Sequence, residues 1–386
     1  MRAAGRALVL ISALNALGAA GACPPAPRLG DPLRGLSADQ LDRFRQGQEV
    51  FEREFTPATG LGPLFNSVAC GECHENPVTG GAGDEVETHA TIVRADGICD
   101  QLEARGGPVF QLHVTPALQA ALGIDHEPVP AEATRAARTT PDLFGLGLLD
   151  AVPDREILAR ADPDDRDHDG VSGRPNYFVD GRLGRFGRKA FVPALAEFNH
   201  GAFAAEMGIT SPAQPSEESI GGKPLPPGVD PVPEPELSQE DMDRVDDFVR
   251  FLAPPAPLAL DRQGELGRRV FAEIRCGACH VPSLTTGDSP VAALRYRTVE
   301  AYTDLLLHAM GPERADICLG QAAPDEFRTE PLMGLRFMPA FLHDGKAKTI
   351  DQAIQLHGGE AAGAVRRYQR LTPARREALL RFLKSL

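Results

Sequence analysis

Cys70-Gly-Glu-Cys73-His74 and Cys276-Gly-Ala-Cys279-His280 are the two stretches from which the rest of the chain is read. Two thiols at this spacing can add to the two vinyl groups of a haem, and the histidine next in line then reaches the iron. The pattern predicts two covalently bound haems c, with His74 and His280 as iron ligands. A single structural zinc site built from all four cysteines is the competing reading of the spacing. It leaves both following histidines without a task.

Working outward, each motif is preceded by Gly-x-x-Val-Phe, at Gly47 to Phe51 and at Gly267 to Phe271. Far downstream, Leu237-Ser238 opens a segment carrying Phe248 and Leu252, and Leu371-Thr372 opens one carrying Phe382 and Leu386 at the same offsets. Ser238 and Thr372 are suitable N-caps, and the apolar spacing behind them fits a helix. Between these ends, Arg138-Thr-Thr-Pro141 with Gly145-Leu146 recurs as Arg328-Thr-Glu-Pro331 with Gly334-Leu335. Repeats at both ends and in the middle argue for duplication of a whole unit. The fold class expected is mainly α: two tandem cytochrome c-like domains, the first carrying a long loop-rich insertion. The boundaries are 1–22 for a signal peptide, 23–252 for the N-terminal haem domain, 253–257 for a Pro-rich linker, and 258–386 for the C-terminal haem domain. The stretch from Asp162 to Lys189 and the Pro/Gly/Ser-rich stretch from Ser211 to Pro235 supply the extra length of the first.

At 386 residues the chain has room for two cores. Met1 to Arg6, the apolar run Ala7 to Ala20, and the small residues before Cys23 read as a leader with its cleavage site, which predicts export to the periplasm. Cys23 would then be the first mature residue, and a lipid anchor there is an open alternative. The formal charge of −14 disfavours nucleic acid and suits a basic redox partner. Cys99 and Cys318 stand outside the haem motifs, and whether they pair is left open.

The chain resembles the dihaem oxidoreductase family, relatives of the bacterial dihaem cytochrome c peroxidases. The residues that carry the resemblance are Phe55-Thr-Pro-Ala-Thr-Gly-Leu-Gly-Pro-Leu-Phe65-Asn66, Arg185-Phe-Gly-Arg-Lys189, Glu206-Met-Gly-Ile-Thr210, Thr303-Asp-Leu-Leu-Leu-His308 and His343-Asp-Gly345. It implies a mainly helical fold and two haems of unequal potential, one handling electrons and one meeting the oxidant. Tryptophans common in that family stand here as Arg188 and Met333, and the chain has no tryptophan. A tryptophan relay is therefore excluded, leaving close haem edges or Tyr177, Tyr296, Tyr302 or Tyr368.

In the peroxidases the distal ligand of the high-potential haem follows a loop like His343-Asp344-Gly345 by fourteen residues, and here that position is His357. The resemblance thus implies His357 on the second iron, with Met333 and Met338 as substitutes. The matching first-half loop, Leu149 to Pro153, holds neither histidine nor methionine, so the first haem has an open or loosely held position. His89 and His200 are candidate temporary ligands. Glu206 matches the catalytic glutamate of the peroxidases, where a carboxylate carries a proton from one peroxide oxygen to the other.

Asp165, Asp167 and Asp169 alternate ahead of Gly170 like the opening of a calcium loop, although Asn176 stands where a bidentate glutamate belongs. Calcium and an acidic turn held by backbone hydrogen bonds are both open. Arg182, Arg185, Arg188 and Lys189 are candidates to pair haem propionates. The function expected is reduction of hydrogen peroxide, or another small oxidant, at the N-terminal haem. The electrons would come through the C-terminal haem from a small redox protein such as a cytochrome c or cupredoxin. A non-enzymatic dihaem electron carrier and an oxygen-dependent oxidase of an organic substrate are the alternatives.

Overall fold

The structure, a computed structural model, describes residues 27–386. The expected signal peptide and Cys23 lie outside the described residues. No helix among the described residues is long and apolar enough to cross a membrane.

Two helix pairs frame the molecule. Helix α1 (Ala38–Phe51) starts at Ser37, whose hydroxyl accepts from Gln40 N while the Gln40 side chain accepts from Ser37 N, a reciprocal cap. Helix α2 (Leu195–Met207) precedes α3 (Gln239–Phe251), which is capped by Ser238 as its sequence predicts. Helix α4 (Arg262–Glu273) is capped by Asp261, and α5 (Pro373–Leu383) begins after Thr372. Thr372 has the extended backbone of an N-cap, but its hydroxyl makes no capping bond. Proline at the first helical position already removes one of the amides a cap would satisfy.

The repeated glycines explain how the pairs meet. A Cβ on Gly47 would fall on the Arg244 carbonyl of α3, and one on Gly267 would fall on the Ala378 carbonyl of α5. Only a residue without a side chain lets these backbones touch, so α1 crosses α3 as α4 crosses α5. Phe51 packs on Phe248 at 4.9 Å between ring centres, and Phe271 on Phe382 at 5.5 Å, carrying the repeat into the core.

Helix accounts for 31% and strand for 14% of the structure, which amends the mainly helical expectation to a helical frame with much loop and a small sheet. Strand β1 (Val86–Val93) is its centre, flanked by β2 (Cys99–Asp100), β3 (Val109–Phe110) and β4 (Thr134–Thr139), all antiparallel to it. The run Val-Glu-Thr-His-Ala-Thr-Ile-Val is rich in β-branched residues, a strand signal the helical repeat overshadowed. A disulfide joins Cys99 at the sheet to Cys318, 219 residues on. The main apolar cluster also crosses the halves, since Phe44, Phe51 and Phe248 share it with Leu284, Leu305 and Met333. The linker at 253–257 therefore separates sequence repeats without ending the core.

Close helix contact makes a direct test. Gly47→Ala and Gly267→Ala should each lose about 1–3 kcal/mol of stability, because the added methyl meets backbone that cannot rotate away. Gly201→Ala, inside α2 with open space at its Cβ, should instead gain roughly 0.5–1 kcal/mol from helix propensity. Urea denaturation of the three variants measures both signs.

Candidate functional site

At the second motif, Cys276 to His280 forms one tight turn, with His280 N donating to the Cys276 carbonyl at 3.0 Å. The His280 ring donates from Nδ1 to the Tyr302 carbonyl at 3.0 Å, and the His357 ring donates from Nδ1 to the Ala353 carbonyl at 2.7 Å. Each ring is thereby fixed in the tautomer that leaves Nε2 for a metal. The ring centres are 6.4 Å apart. Two imidazoles sharing one ion, at about 2 Å from each nitrogen, place their centres roughly 6 Å apart, so the pair fits a single iron. Burial, and then the neighbouring His357, push His280 down to about 4, which keeps it neutral and able to ligate. The two rings open on a largely apolar cavity of about 420 Å³ that also holds Cys276, Cys279, Phe271 and Ile354. Met333 and Met338 line the same cavity, yet the imidazole is the group that stands opposite His280.

The first motif repeats the turn with different company. His74 N donates to Cys70 at 3.0 Å, and its Nδ1 donates to the Gly81 carbonyl at 3.1 Å. Its ring packs on Phe51 at 6.0 Å, and among the described residues no second imidazole stands opposite it. Glu206, near the end of α2, lies close enough to Cys70 and Cys73 for its charge to raise both thiols. Its carboxylate accepts from the Asn66 side chain at 2.8 Å, while its own carbonyl accepts from Asn66 N and Ser67 N. Burial, reinforced by Glu87, lifts this carboxyl well above the ordinary carboxylate range, against the pull of Asn66. His89 is paired with Glu87 at 3.0 Å and His200 with Asp246 at 2.9 Å, so both are held by partners of their own.

Burial pushes the Cys70, Cys73 and Cys276 thiols up to about 12. No described cluster of candidate metal ligands contains a cysteine. The single-zinc reading of the four thiols therefore finds no support. Between the motifs runs the segment 139–144: the Pro141 backbone meets the His74 ring, Thr139 N donates to the His343 carbonyl, and Pro141, Asp142 and Phe144 line the second cavity.

Of the four basic residues, only Arg188 faces that cavity, where it bonds Glu330 at 3.0 Å beside Arg328. Arg182 is an exposed residue paired with Asp180 and Glu197. Arg185 clasps the carbonyls of Leu149, Asp150 and Val152, and buried Lys189 donates to those of Ala323, Pro324 and Glu326. The terminal nitrogens of Arg185 and the Lys189 ammonium are taken up by these carbonyls, by Asp154 and by Asp316, which takes both residues out of the propionate role.

Asp165, Asp167 and Asp169 do converge, with oxygens within 4.8 Å of one another. They accept the amides of Asp169, Gly170 and Val171, and Asp169 also pairs with Arg275 beside the second motif. A second acidic group, Glu217, Asp230, Glu234 and Glu236, went unread in the sequence because its members lie up to 19 residues apart in a loop-rich stretch. His308 was also missed as a site residue. It is buried beside Cys279 with a carboxylate on each ring nitrogen, Asp304 and Glu360.

Two thiol pairs, each followed by an imidazole, and one site furnished with a second imidazole are the equipment of an oxidoreductase that works through two haems. The chain belongs to the family described as "Di-haem oxidoreductase, putative peroxidase", which matches residues 130–386. No curated protein matches it. Among solved structures, the diheme peroxidase BthA from Burkholderia thailandensis is similar at 15% identity, with a TM-score of 0.42, over 89% of this chain and 86% of that one. A MauG-like protein associated with microbial copper homeostasis is similar at 14% identity and a TM-score of 0.41, over 94% of each chain. The hydrazine synthase of Kuenenia stuttgartiensis is similar at 13% identity and a TM-score of 0.41, over 99% of this chain and 100% of that one. At these values the likenesses carry no functional weight.

The second acidic group sets a pH dependence. Burial and mutual repulsion raise Glu217 to about 9, and burial raises Glu236 to about 7, so the native state binds more protons there than the unfolded chain does. Stability should fall as pH rises from about 4.5 to about 9, the sign expected when the folded form is the better proton acceptor. Chemical denaturation across that window should show the decline, and Glu217→Gln should flatten it.

Proposed function

We propose that the chain is an exported dihaem c-type oxidoreductase that reduces hydrogen peroxide at its N-terminal site. The observation that carries this is the asymmetry of the two sites: His280 faces His357, whereas the first motif has a buried carboxyl, Glu206, near its thiols Cys70 and Cys73. Cys70, Cys73 and His74 would hold one haem c, and Cys276, Cys279, His280 and His357 the other. This gives an N-terminal haem unit over 23–252 and a C-terminal one over 258–386, in the periplasm behind a cleaved leader, with lipid at Cys23 as the alternative to a free start.

Bound there, the haems would supply redox-active iron for the two-electron reduction. Two electrons and two protons turn hydrogen peroxide into two waters. Glu206 takes a proton from one peroxide oxygen and delivers it to the other, oriented by the amide of Asn66. His280 and His357 would both hold the second haem's iron, which would suit that site to passing electrons rather than meeting the oxidant. The segment 139–144, which touches both sites, offers a short covalent route between them. The acidic surface favours a basic donor such as a small cytochrome c or cupredoxin. The turn at Asp165, Asp167 and Asp169 is held by its amides and Arg275, and the proposed reaction assigns it no step.

Purified mature protein should carry two haems, as pyridine haemochrome quantification and mass spectrometry would show; a haem-free chain would end the proposal. Stopped-flow mixing of half-reduced protein with hydrogen peroxide should give a rate that rises with pH as Glu206 loses its proton, above the ordinary carboxylate range. Glu206→Gln should lower that rate roughly a hundredfold or more and remove the pH dependence, with haem content unchanged. A parent protein inert to peroxide would favour the electron-carrier reading.

A further inference from the structure

The lining of the second cavity includes a hydrogen-bonded pair, His308 and Glu360, that no ligand assignment uses. His308 is buried, at 3% exposure, between two acidic partners. Its Nε2 donates to Asp304 at 2.9 Å and its Nδ1 to Glu360 at 2.7 Å. Acceptors on both nitrogens require a hydrogen on each, so the ring is an imidazolium. The same Nδ1 lies 3.5 Å from Cys279 Sγ, the sulfur that a haem would hold as a thioether.

Glu360 is the other half of the pair. Besides His308, it accepts from Ser172 N at 3.0 Å, Ser172 Oγ at 2.6 Å and Ala309 N at 3.1 Å. Four donors on one carboxylate pin the turn Gly359–Ala361 against the strand that carries His308. Backbone contact tightens the seam, because a Cβ on Gly359 would meet the Ala309 carbonyl and one on Gly358 the Met310 carbonyl. His357 lies three residues before Glu360, and His280 directly follows Cys279. One buried cation thus touches the turn carrying one imidazole and anchors the turn that follows the other. Ser172 brings in the first half of the chain, whose Asp169 grips Arg275 beside the same motif.

We infer that His308 and Glu360 form a clamp that holds His357 seated opposite His280, and that they are positioning residues for the second haem. The inference rests on the reading of His280 and His357 as ligands of one iron. Without Glu360, the Nδ1 of the buried imidazolium, which keeps Asp304 on its other nitrogen, and three further donors would be left without an acceptor, which favours release of the turn. The turn then carries His357 off the metal, and the closed site becomes an open one.

The test uses the full haem-loaded protein with carbon monoxide as probe and electron paramagnetic resonance as a second readout. In the parent, the second haem should be low-spin and should not take up carbon monoxide when reduced. His357→Ala should make it high-spin and reactive. Glu360→Ala should do the same, raising the carbon monoxide-binding fraction of that haem at least tenfold, with the first haem's spectrum unchanged. Glu360→Gln, which keeps one acceptor oxygen and serves if the alanine variant fails to fold, should fall between parent and His357→Ala. If His357→Ala opens the haem while both Glu360 variants that fold stay low-spin and unreactive, the clamp is wrong and the ligand reading stands. If His357→Ala itself changes nothing, the ligand reading fails and the clamp with it.

Discussion

A histidine serves as a metal ligand only when it is neutral and its free nitrogen points the right way, and a backbone carbonyl on the other nitrogen secures both conditions. Three carbonyls do this here, those of Gly81 for His74, Tyr302 for His280 and Ala353 for His357. Much of the fold can be understood as what puts them in place. The glycine contacts that let α1 touch α3, and α4 touch α5, bring Phe51 and Phe271 beneath the two turns. Tyr302 meets Phe271 and Phe382 with its ring while its carbonyl serves His280.

The two halves are bound by more than a shared apolar core. Lys189, from the first half, pairs with Asp316 of the second at 3.1 Å and lies 3.8 Å over the Phe327 ring. Arg138 pairs with the same Asp316, and His343 stacks on Phe327 at 4.2 Å. Burial lowers Lys189 to about 8, so the carbonyls and Asp316 around it are what sustain its charge. The loop His343-Asp344-Gly345, which sequence likeness ties to the ligand fourteen residues on, is thus held by residues from both halves.

The duplicated frame was legible because its signals are local. Glycine, aromatic and cap positions recur at fixed offsets within a turn or two of helix, although the glycines and aromatics make their contacts far along the chain, Gly47 with Arg244 and Phe271 with Phe382. Strand β1 was not read, although its β-branched residues were in plain view, because its stability comes from partners 6 to 53 residues away. The basic run shows the same limit. Arg182, Arg185, Arg188 and Lys189 look alike on paper, and the backbone path sends one to solvent, two into nests of carbonyls and one to the cavity.

By itself the sequence determined where the two thiol-and-imidazole turns fall, for the chemistry requires those residues at consecutive positions and no fold can relocate them. It also showed glycine recurring at 47 and 267, while the reason, that no side chain fits between the touching helices, belongs to the tertiary structure. Likeness alone named His357 and Glu206, but only the tertiary structure set His357 opposite His280 and Glu206 beside the first thiol pair, and only it decided which carboxylates surround His308. Apart from Asp304, four residues before His308, those choices join residues tens to hundreds of positions apart. They rest on a balance of burial, charge and hydrogen bonding that exists only once the whole chain has closed around the site.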